Sequence, residues 1–393
     1  MTFYIAGNLL NHNNWAALYP PDGATNLLET PFNLITHQML SHVPKQMTAI
    51  YMYSPLTACV FAPFAWLSPG VSMAVWEMVS LAALFVSARL MHLVTGRSAG
   101  SFFWMALLFL PVFHTILIGH LGIALGIMPL ALGMYLLLRE KPFAAGLAWS
   151  LLLLKPQFVP STLLVVGALA LAGKIRSAAG LGLGFALLTA IMYFVLPGGI
   201  AVAWLHSFRL SDTLFTDPRY GYPRYLVCSI PGTLIDMTPR DHRQIVKLVT
   251  YALAAVIGLF TLWRATMCLR RDTNNITARL PYVFLLSIAV LPLVLPHFVS
   301  YDFCIFAIFG MLVFGYRWSA HEFVLKRDCI LAWIIANLYL ILWMFAPKAL
   351  AQPLIMVAVS FELYRRLIVY GKDDLTVSRF EAQATATPDI AAA

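Results

Sequence analysis

Lys155 interrupts the apolar run LLLLKPQF. A lysine at the centre of a bilayer costs about 2.5–3.5 kcal/mol even on the lenient insertion scale, so it needs a partner or an escape route. Its four-carbon stem can carry the ammonium to the interface, or the charge can bind an anion, and the phosphate of a polyprenyl carrier is the anion a membrane offers. His297 and Asp302 flank a short turn, PHFVSYD, where Pro296 ends an apolar run. A histidine there can serve a transferring sugar phosphate, with Asp302 as its orienter or as a partner of Lys155, and Tyr301 beside them joins the substrate-binding set. Both polar residues could equally be solvated at an interface. His120 follows Gly119 between two apolar stretches, where a tight turn accounts for the glycine and in part for the histidine. The run Arg219-Tyr220-Gly221-Tyr222-Pro223-Arg224-Tyr225 offers two guanidinium forks for phosphate, Arg219 and Arg224, among rings that can stack on sugars or anchor at headgroup level. Glu77, in VWEMVS, reads as an interfacial acid.

Other chemistries find no support. The five cysteines (Cys59, Cys228, Cys268, Cys304, Cys329) are scattered without zinc or redox spacing. No D-x-D, P-loop or soluble α/β unit for a nucleotide sugar is present, and no metal or other cofactor is expected. The net charge of +9 does not mark a nucleic-acid binder, because the cations sit at the ends of apolar runs, where membrane topology puts them.

The elements that must position these residues are membrane helices. Of the 393 residues, 61% are hydrophobic and 11% charged, against about 45–50% and about 25% in soluble domains. A bilayer core needs roughly 17–25 apolar residues per helix. Eleven stretches qualify, at 72–94, 101–118, 121–138, 143–157, 158–173, 178–196, 247–266, 281–296, 299–315, 329–346 and 353–370. The fold class is an all-α polytopic membrane protein with about 11 transmembrane helices and no cleavable signal peptide.

Most of the 26 basic residues fall on one side if the C-terminus is cytoplasmic. The same parity puts 1–71, Gly119-His120, Lys155-Pro156-Gln157, the loop 197–246 and the turn 296–302 together on the outer face. The expected organisation is an outer-face segment 1–71 with a juxtamembrane or re-entrant piece at 48–68, a transmembrane module 72–196, the outer loop 197–246, helices over 247–370, and a disordered cytoplasmic tail 371–393.

The runs AIYMYSPLTACVFAPFAWLSPGVSMAVWEMVSLAALFVSARL, ILIGHLGIALGIMPLALGMYLLL, AAGLAWSLLLLKPQF and LPHFVSYDFCIFAIFG, with the opening FYIAGNLLNHNNWAALYPP, resemble glycosyltransferase family 87, the polyprenyl-phosphate-mannose-type GT-C enzymes. The resemblance covers roughly residues 2–315. It implies a GT-C-like bundle in the plasma membrane that moves a hexose, mannose by analogy, from a polyprenyl-phosphate donor to a lipid or glycan acceptor on the extracytoplasmic face. It places His120, Lys155 and His297 at positions like functional ones in related enzymes. One departure stands out: the family's first helix and the aspartate expected as catalytic base, just before the motif that here reads Met1-Thr2-Phe3-Tyr4, are missing. The expectation is a start at an internal methionine, with Asp22 in Tyr19-Pro20-Pro21-Asp22-Gly23 as the nearest outer-face substitute base, although that sequence is also an ordinary turn.

Two other classes stay open. A transporter or flippase would show repeats and ionisable or broken helices at mid-membrane, whereas here the ionisable residues gather at one interface. A catalytically inactive family member is the third, kept open by the missing aspartate.

Overall fold

Proline decides where the apolar runs break, because it lacks an N–H and its ring collides with the preceding turn. The computed structural model describes residues 2–24, 26–44, 48–216, 218–220, 226–272, 275–345, 354–371 and 376–379. Within them, the run after residue 99 divides into Ala99–Leu107 and Leu110–Leu117, bent by 75°, with Pro111 in the first turn of the second piece. The next begins as a π-helical turn, Gly122–Ile127, and becomes α-helical at Met128 with Pro129 behind it. Pro142–Ser150 tightens to a 3-10 turn, Leu151–Leu154, and stops at Lys155, before Pro156 and the helix Val159–Leu171. Ile276–Ala289 is followed by Leu291–Val294, started by Pro292.

All eleven apolar stretches are helical where described, and the chain is a nearly all-α, polytopic membrane protein. Among the described residues, fewer full-length spans appear than the eleven apolar stretches: four helices are long and apolar enough to cross a membrane, Pro69–Thr95, Arg176–Phe194, Arg243–Arg270 and Ile276–Val294, or five if the bent pair is one span. The stretches starting at Gly122, Pro142, Pro156 and Ser300 give only shorter apolar helices. Glu322–Phe345 and Leu354–Tyr370 complete the C-terminal part.

The centre of the bundle is the 276–289 helix, buried at every position from Arg279 to Ala289. Arg243–Arg270 lies at the periphery, exposing Leu248, Val256 and Leu259 as a lipid-facing helix does. Pro142–Ser150 and Arg176–Phe194 meet backbone to backbone: a Cβ at Gly146 would lie 2.1 Å from the Ser177 carbonyl oxygen, and one at Gly180 2.0 Å from that of Phe143. Small residues permit such approach where lipid supplies no hydrophobic drive. This contact fixes the helix that carries Lys155.

Three expectations are corrected. Besides Pro55–Phe61, which falls in the juxtamembrane piece expected at 48–68, the segment 1–71 holds the helices Thr2–Asn11 and Pro31–Met39, and a Cβ at Gly7 would meet the Phe61 carbonyl oxygen at 2.5 Å. The segment 197–246 holds the helices Ile200–Thr216 and Ile230–Met237. In the tail, Val377–Arg379 pairs antiparallel with Tyr316–Trp318. Thr376 and Ser319 extend the pairing through two 3.0 Å bonds.

The 75° break is held by one side chain. Asn337 accepts from the Leu110 N–H at 2.9 Å and donates to the Leu108 carbonyl at 3.3 Å, satisfying both backbone groups that the bend orphans. Replacing Asn337 by leucine strands them, and each unsatisfied group costs about 1–3 kcal/mol. The expected result is a clear fall in the melting temperature of the purified protein; an unchanged melt would show that the bend needs no such support.

Candidate functional site

The break at Lys155 turns its side chain into the protein. The residue before a proline avoids helical geometry, and Lys155 accordingly takes φ −133 and ψ 73. Its Nζ lies 2.6 Å from Asp302 Oδ1, and both side chains are 0% exposed. The other carboxylate oxygen accepts from the Val299 N–H at 3.1 Å, so Asp302 also closes the turn at 299–302. Three rings surround the ammonium, Phe158 at 5.4 Å, Tyr301 at 5.6 Å and Tyr53 at 5.9 Å. An isolated charge could not be kept here, since the desolvation of each ion costs several kcal/mol unless a close partner offsets it. In this conformation Asp302, and not an external anion, is the partner of Lys155.

His120 packs on the same group. Its ring lies 4.1 Å from that of Tyr301, centroid to centroid, and its Nε2 is 3.0 Å from the Tyr53 hydroxyl. Gly119 sets it there: φ is +63, and a Cβ would meet Met73 Sδ at 2.6 Å. Thr115 donates to the Tyr301 carbonyl at 2.8 Å, fastening the 110–117 helix to the 300–305 turn. Burial, reinforced by the Asp302 carboxylate, holds the Tyr53 phenol well above its ordinary range. Burial and the nearby Lys155 ammonium push the His120 imidazolium well below its ordinary range, so the ring is neutral. The Tyr53 hydroxyl can donate to Nε2 or accept from it; with the phenol donating, the imidazole proton sits on Nδ1.

Three polar atoms near these residues are buried without a hydrogen-bond partner: His120 Nδ1, Gln157 Oε1 and Ser300 Oγ. Buried groups of this kind take up ordered water or a polar ligand.

The turn carrying His297 is clamped from the other side. Cys228 N–H donates to the Phe298 carbonyl at 2.7 Å, Ser229 Oγ donates to that of Pro296 at 3.1 Å, and Val227 forms an isolated bridge with Val299. His297 itself is half-buried. Of the sequence-derived residues, Lys155, His120, Tyr301 and Asp302 therefore form one cluster, with His297 on the adjoining turn.

The others lie elsewhere. Asp22 is 84% exposed, 2.9 Å from His206 Nδ1. The Arg219 guanidinium stands over the Tyr220 ring at 5.5 Å, in a small cluster with Leu27, whose N–H donates to the Tyr220 hydroxyl at 3.4 Å. Arg224 lies outside the described residues. Sequence reasoning missed Tyr53 and His206. Tyr53 carried a faint signal, the tyrosine alternation YMY at 51–53; His206 carried none. Among the described residues no three His, Cys, Asp or Glu side chains come together as a metal centre.

Two cavities flank Tyr53 and His120. One, of about 680 Å³, is mainly apolar and lined by Phe3, Phe61, Met73, Trp76, Leu117 and Gly119 among others. Phe3 joins it to the cluster, its ring 4.9 Å from that of Tyr53 and 6.0 Å from that of His120. The other, of about 890 Å³, is more polar and contains Trp15, Tyr19, Asp22, Gly198 and His206. Tyr19 joins it to the cluster by donating to the Tyr53 carbonyl at 2.6 Å.

The family model for glycosyltransferase family 87 matches residues 51–296, more than half of the chain. The match takes in Tyr53, His120 and Lys155 and stops one residue short of His297. No curated protein and no solved structure matches the chain.

Proposed function

The chain belongs to glycosyltransferase family 87, and from that premise we propose that it transfers a hexose, mannose in the first instance, from a polyprenyl-phosphate donor to a lipid or glycan acceptor at the extracytoplasmic face of the plasma membrane. The observation that carries this reading is the flanking of one buried polar cluster by an apolar cavity and a polar one. The prenyl chain of the donor suits the apolar cavity beside Phe3 and Trp76, which brings its phosphate to Gly119 and His120.

There the neutral His120 offers Nδ1–H to the phosphate, and His297 on its turn faces the same reaction. Lys155 and Asp302 act together beneath them, as positioning residues that fasten the 296–302 turn; Lys155 becomes a direct phosphate ligand only where Asp302 gives it up. The acceptor hydroxyl attacks the anomeric carbon in line. A new C–O bond forms as the bond to the phosphate oxygen breaks, the electron pair leaves on polyprenyl phosphate, and the acceptor proton goes to a base. Asp22 is the candidate for that base: its carboxylate is open to the polar cavity and hydrogen-bonded to His206. Arg219 and Arg224 would serve the donor phosphate from the 197–246 segment.

Purified full-length protein in nanodiscs, given radiolabelled polyprenyl-phosphate mannose and membrane acceptors, should release lipid phosphate and label the acceptor. His297→Ala should lower turnover by about 10²–10⁴-fold, the range of a general acid–base group. Absence of transfer by the wild-type chain, or full turnover by the variant, would overturn the assignment.

A further inference from the structure

We infer that the cavity of about 320 Å³ between the helices Glu322–Phe345 and Leu354–Tyr370 binds an anionic glycerophospholipid, with the phosphodiester on Arg365 and Arg366 and an acyl chain in the groove between the helices. The inference is independent of the glycosyl-transfer reading, because this site lies at the other end of the bundle. The Trp343 ring is 6.0 Å from that of His114, which in turn faces Tyr301. Asp328 stands fifteen residues earlier on the same helix, roughly 22 Å away at 1.5 Å per residue.

The floor of the cavity is a network with more cation than anion. The nearly buried Asp328 accepts from Arg366 Nη1 at 2.7 Å and Arg327 Nη2 at 3.2 Å on Oδ1, and from the Tyr370 hydroxyl at 2.6 Å on Oδ2. Glu362 accepts from Arg365 Nε and Nη2 at 2.7 and 2.8 Å and from Arg366 Nε at 2.7 Å. Three guanidiniums against two carboxylates leave one positive charge over. They also carry more N–H donors than two carboxylates can accept. The bonds to Asp328 and Glu362 hold the Arg366 fork in place, and such a fork suits a phosphate.

Above this floor the walls are apolar. Leu331 and Ile335 line one side and Ala358 and Val359 the other, each pair continuing at helical spacing the stripe that begins with Asp328 or ends in Glu362 and Arg366. Ala358 is exposed, and its small side chain leaves the groove open. The rim faces the surroundings of the bundle: Ile330, Ile334 and Ile355 are each nearly half exposed, as lipid-facing residues are. A charged floor at one end of an apolar groove is the outline of a phospholipid seated between helices.

The charge selects the headgroup. A zwitterionic lipid would bring an ammonium to carboxylates that already hold guanidiniums, and would set it beside three like charges. A phosphodiester with an uncharged alcohol, as in phosphatidylglycerol, brings one negative charge to the one positive charge left over. Positive-inside topology assigns this end of the bundle to the cytoplasmic leaflet, where basic pockets between helices hold anionic headgroups. A soluble phosphate ester meets the same guanidiniums but leaves the apolar groove unfilled.

Photo-crosslinking of the full chain in phosphatidylcholine nanodiscs tests this without turnover. The probes are trace phosphatidylglycerol and trace phosphatidylcholine, each with a diazirine in one acyl chain. The anionic probe should label peptides covering 328–335 and 358–366 about tenfold more than the zwitterionic one. Ala358→Phe fills the groove from an exposed position and leaves every charge in place; it should abolish that excess. Arg365→Gln should cut it about tenfold, the loss of one charged hydrogen bond, while Glu362 keeps its bond from Arg366. Equal labelling by the two probes, or an undiminished excess in either variant, would overturn the site.

Two further measurements bear on the same claim. Millimolar glycerophosphoglycerol, the headgroup without its chains, should leave the labelling unchanged; full competition would overturn the lipid as the occupant. Phosphatidylglycerol added to the purified protein in detergent should raise the melting temperature of the wild type, as a ligand of the folded state does, and leave that of Ala358→Phe where it was. An equal rise in both would place the lipid elsewhere on the surface and overturn the site.

Discussion

Asp302→Ala should cost about 3–5 kcal/mol of stability, the usual consequence of leaving one member of a buried ion pair uncompensated. The Lys155 ammonium would then sit among Phe158, Tyr301 and Tyr53 with no carboxylate at 2.6 Å. Those ring faces contribute about 0.5–2 kcal/mol at most, too little to replace it. Lys155→Met should cost less, because Asp302 can take up a proton and keep its bond from Val299 N–H. The double variant Lys155→Met with Asp302→Leu should recover much of the lost stability, since apolar replacements of a buried pair are often neutral or better. Turnover should not recover with it, because the turn carrying His297 would no longer be fastened to the helix break at Lys155. Reversible unfolding in mixed micelles, run beside the transfer assay, gives both readouts. A double variant with wild-type turnover would show that the pair has no part in placing the site.

His120→Leu should reduce turnover by about 10²–10⁴-fold with a far smaller effect on folding. Leucine keeps the apolar contact with Tyr301 and Phe3 but removes Nδ1, the ring nitrogen without a hydrogen-bond partner, and Nε2, which bonds the Tyr53 hydroxyl. The stability cost is that of one unsatisfied phenol, about 1–3 kcal/mol. Tyr53→Phe removes the hydroxyl bonded to His120 Nε2 and should cost about tenfold in turnover, roughly one hydrogen bond. The two residues share one network, so the double variant should fall no lower than His120→Leu alone. Additive losses in kcat would mean that Tyr53 acts on the reaction independently of His120.

Part of the site was legible before any fold was known. Lys155 in an apolar run, Gly119 before His120, and the polar turn after Pro296 are each out of place for a plain membrane helix, and a lipid environment makes such departures expensive. Four of them, Lys155, His120, Tyr301 and Asp302, prove to share one cluster. Asp302 as a partner of Lys155 was among the readings its position allowed. Arg219, chosen for its chemistry and its neighbouring rings, stands over Tyr220 near Leu27, outside that cluster. A guanidinium among tyrosines looks the same in sequence whether it anchors a loop or binds a phosphate.

The helices in 1–71 and 197–246 escaped for a different reason. Thr2–Asn11, Pro31–Met39 and Ile230–Met237 are too short to register as membrane spans. Short helices draw their stability from tertiary packing more than from propensity. The Gly7 contact with Phe61 is such packing, and it joins the polar, turn-rich opening of the chain to the apolar piece expected at 48–68.

The sequence by itself determined the solvent of this protein and the places where its helices must end. Apolar content and the spacing of prolines are local properties, and bilayer and backbone sterics act on them locally. Tertiary structure alone decided the partnerships: Lys155 with Asp302 across 147 residues, and Asp22 with His206 across 184. Those depend on how each helix is rotated and slid against its neighbours, down to contacts such as Gly146 on Ser177. No local pattern encodes that register, because it is fixed only when all the helices pack at once.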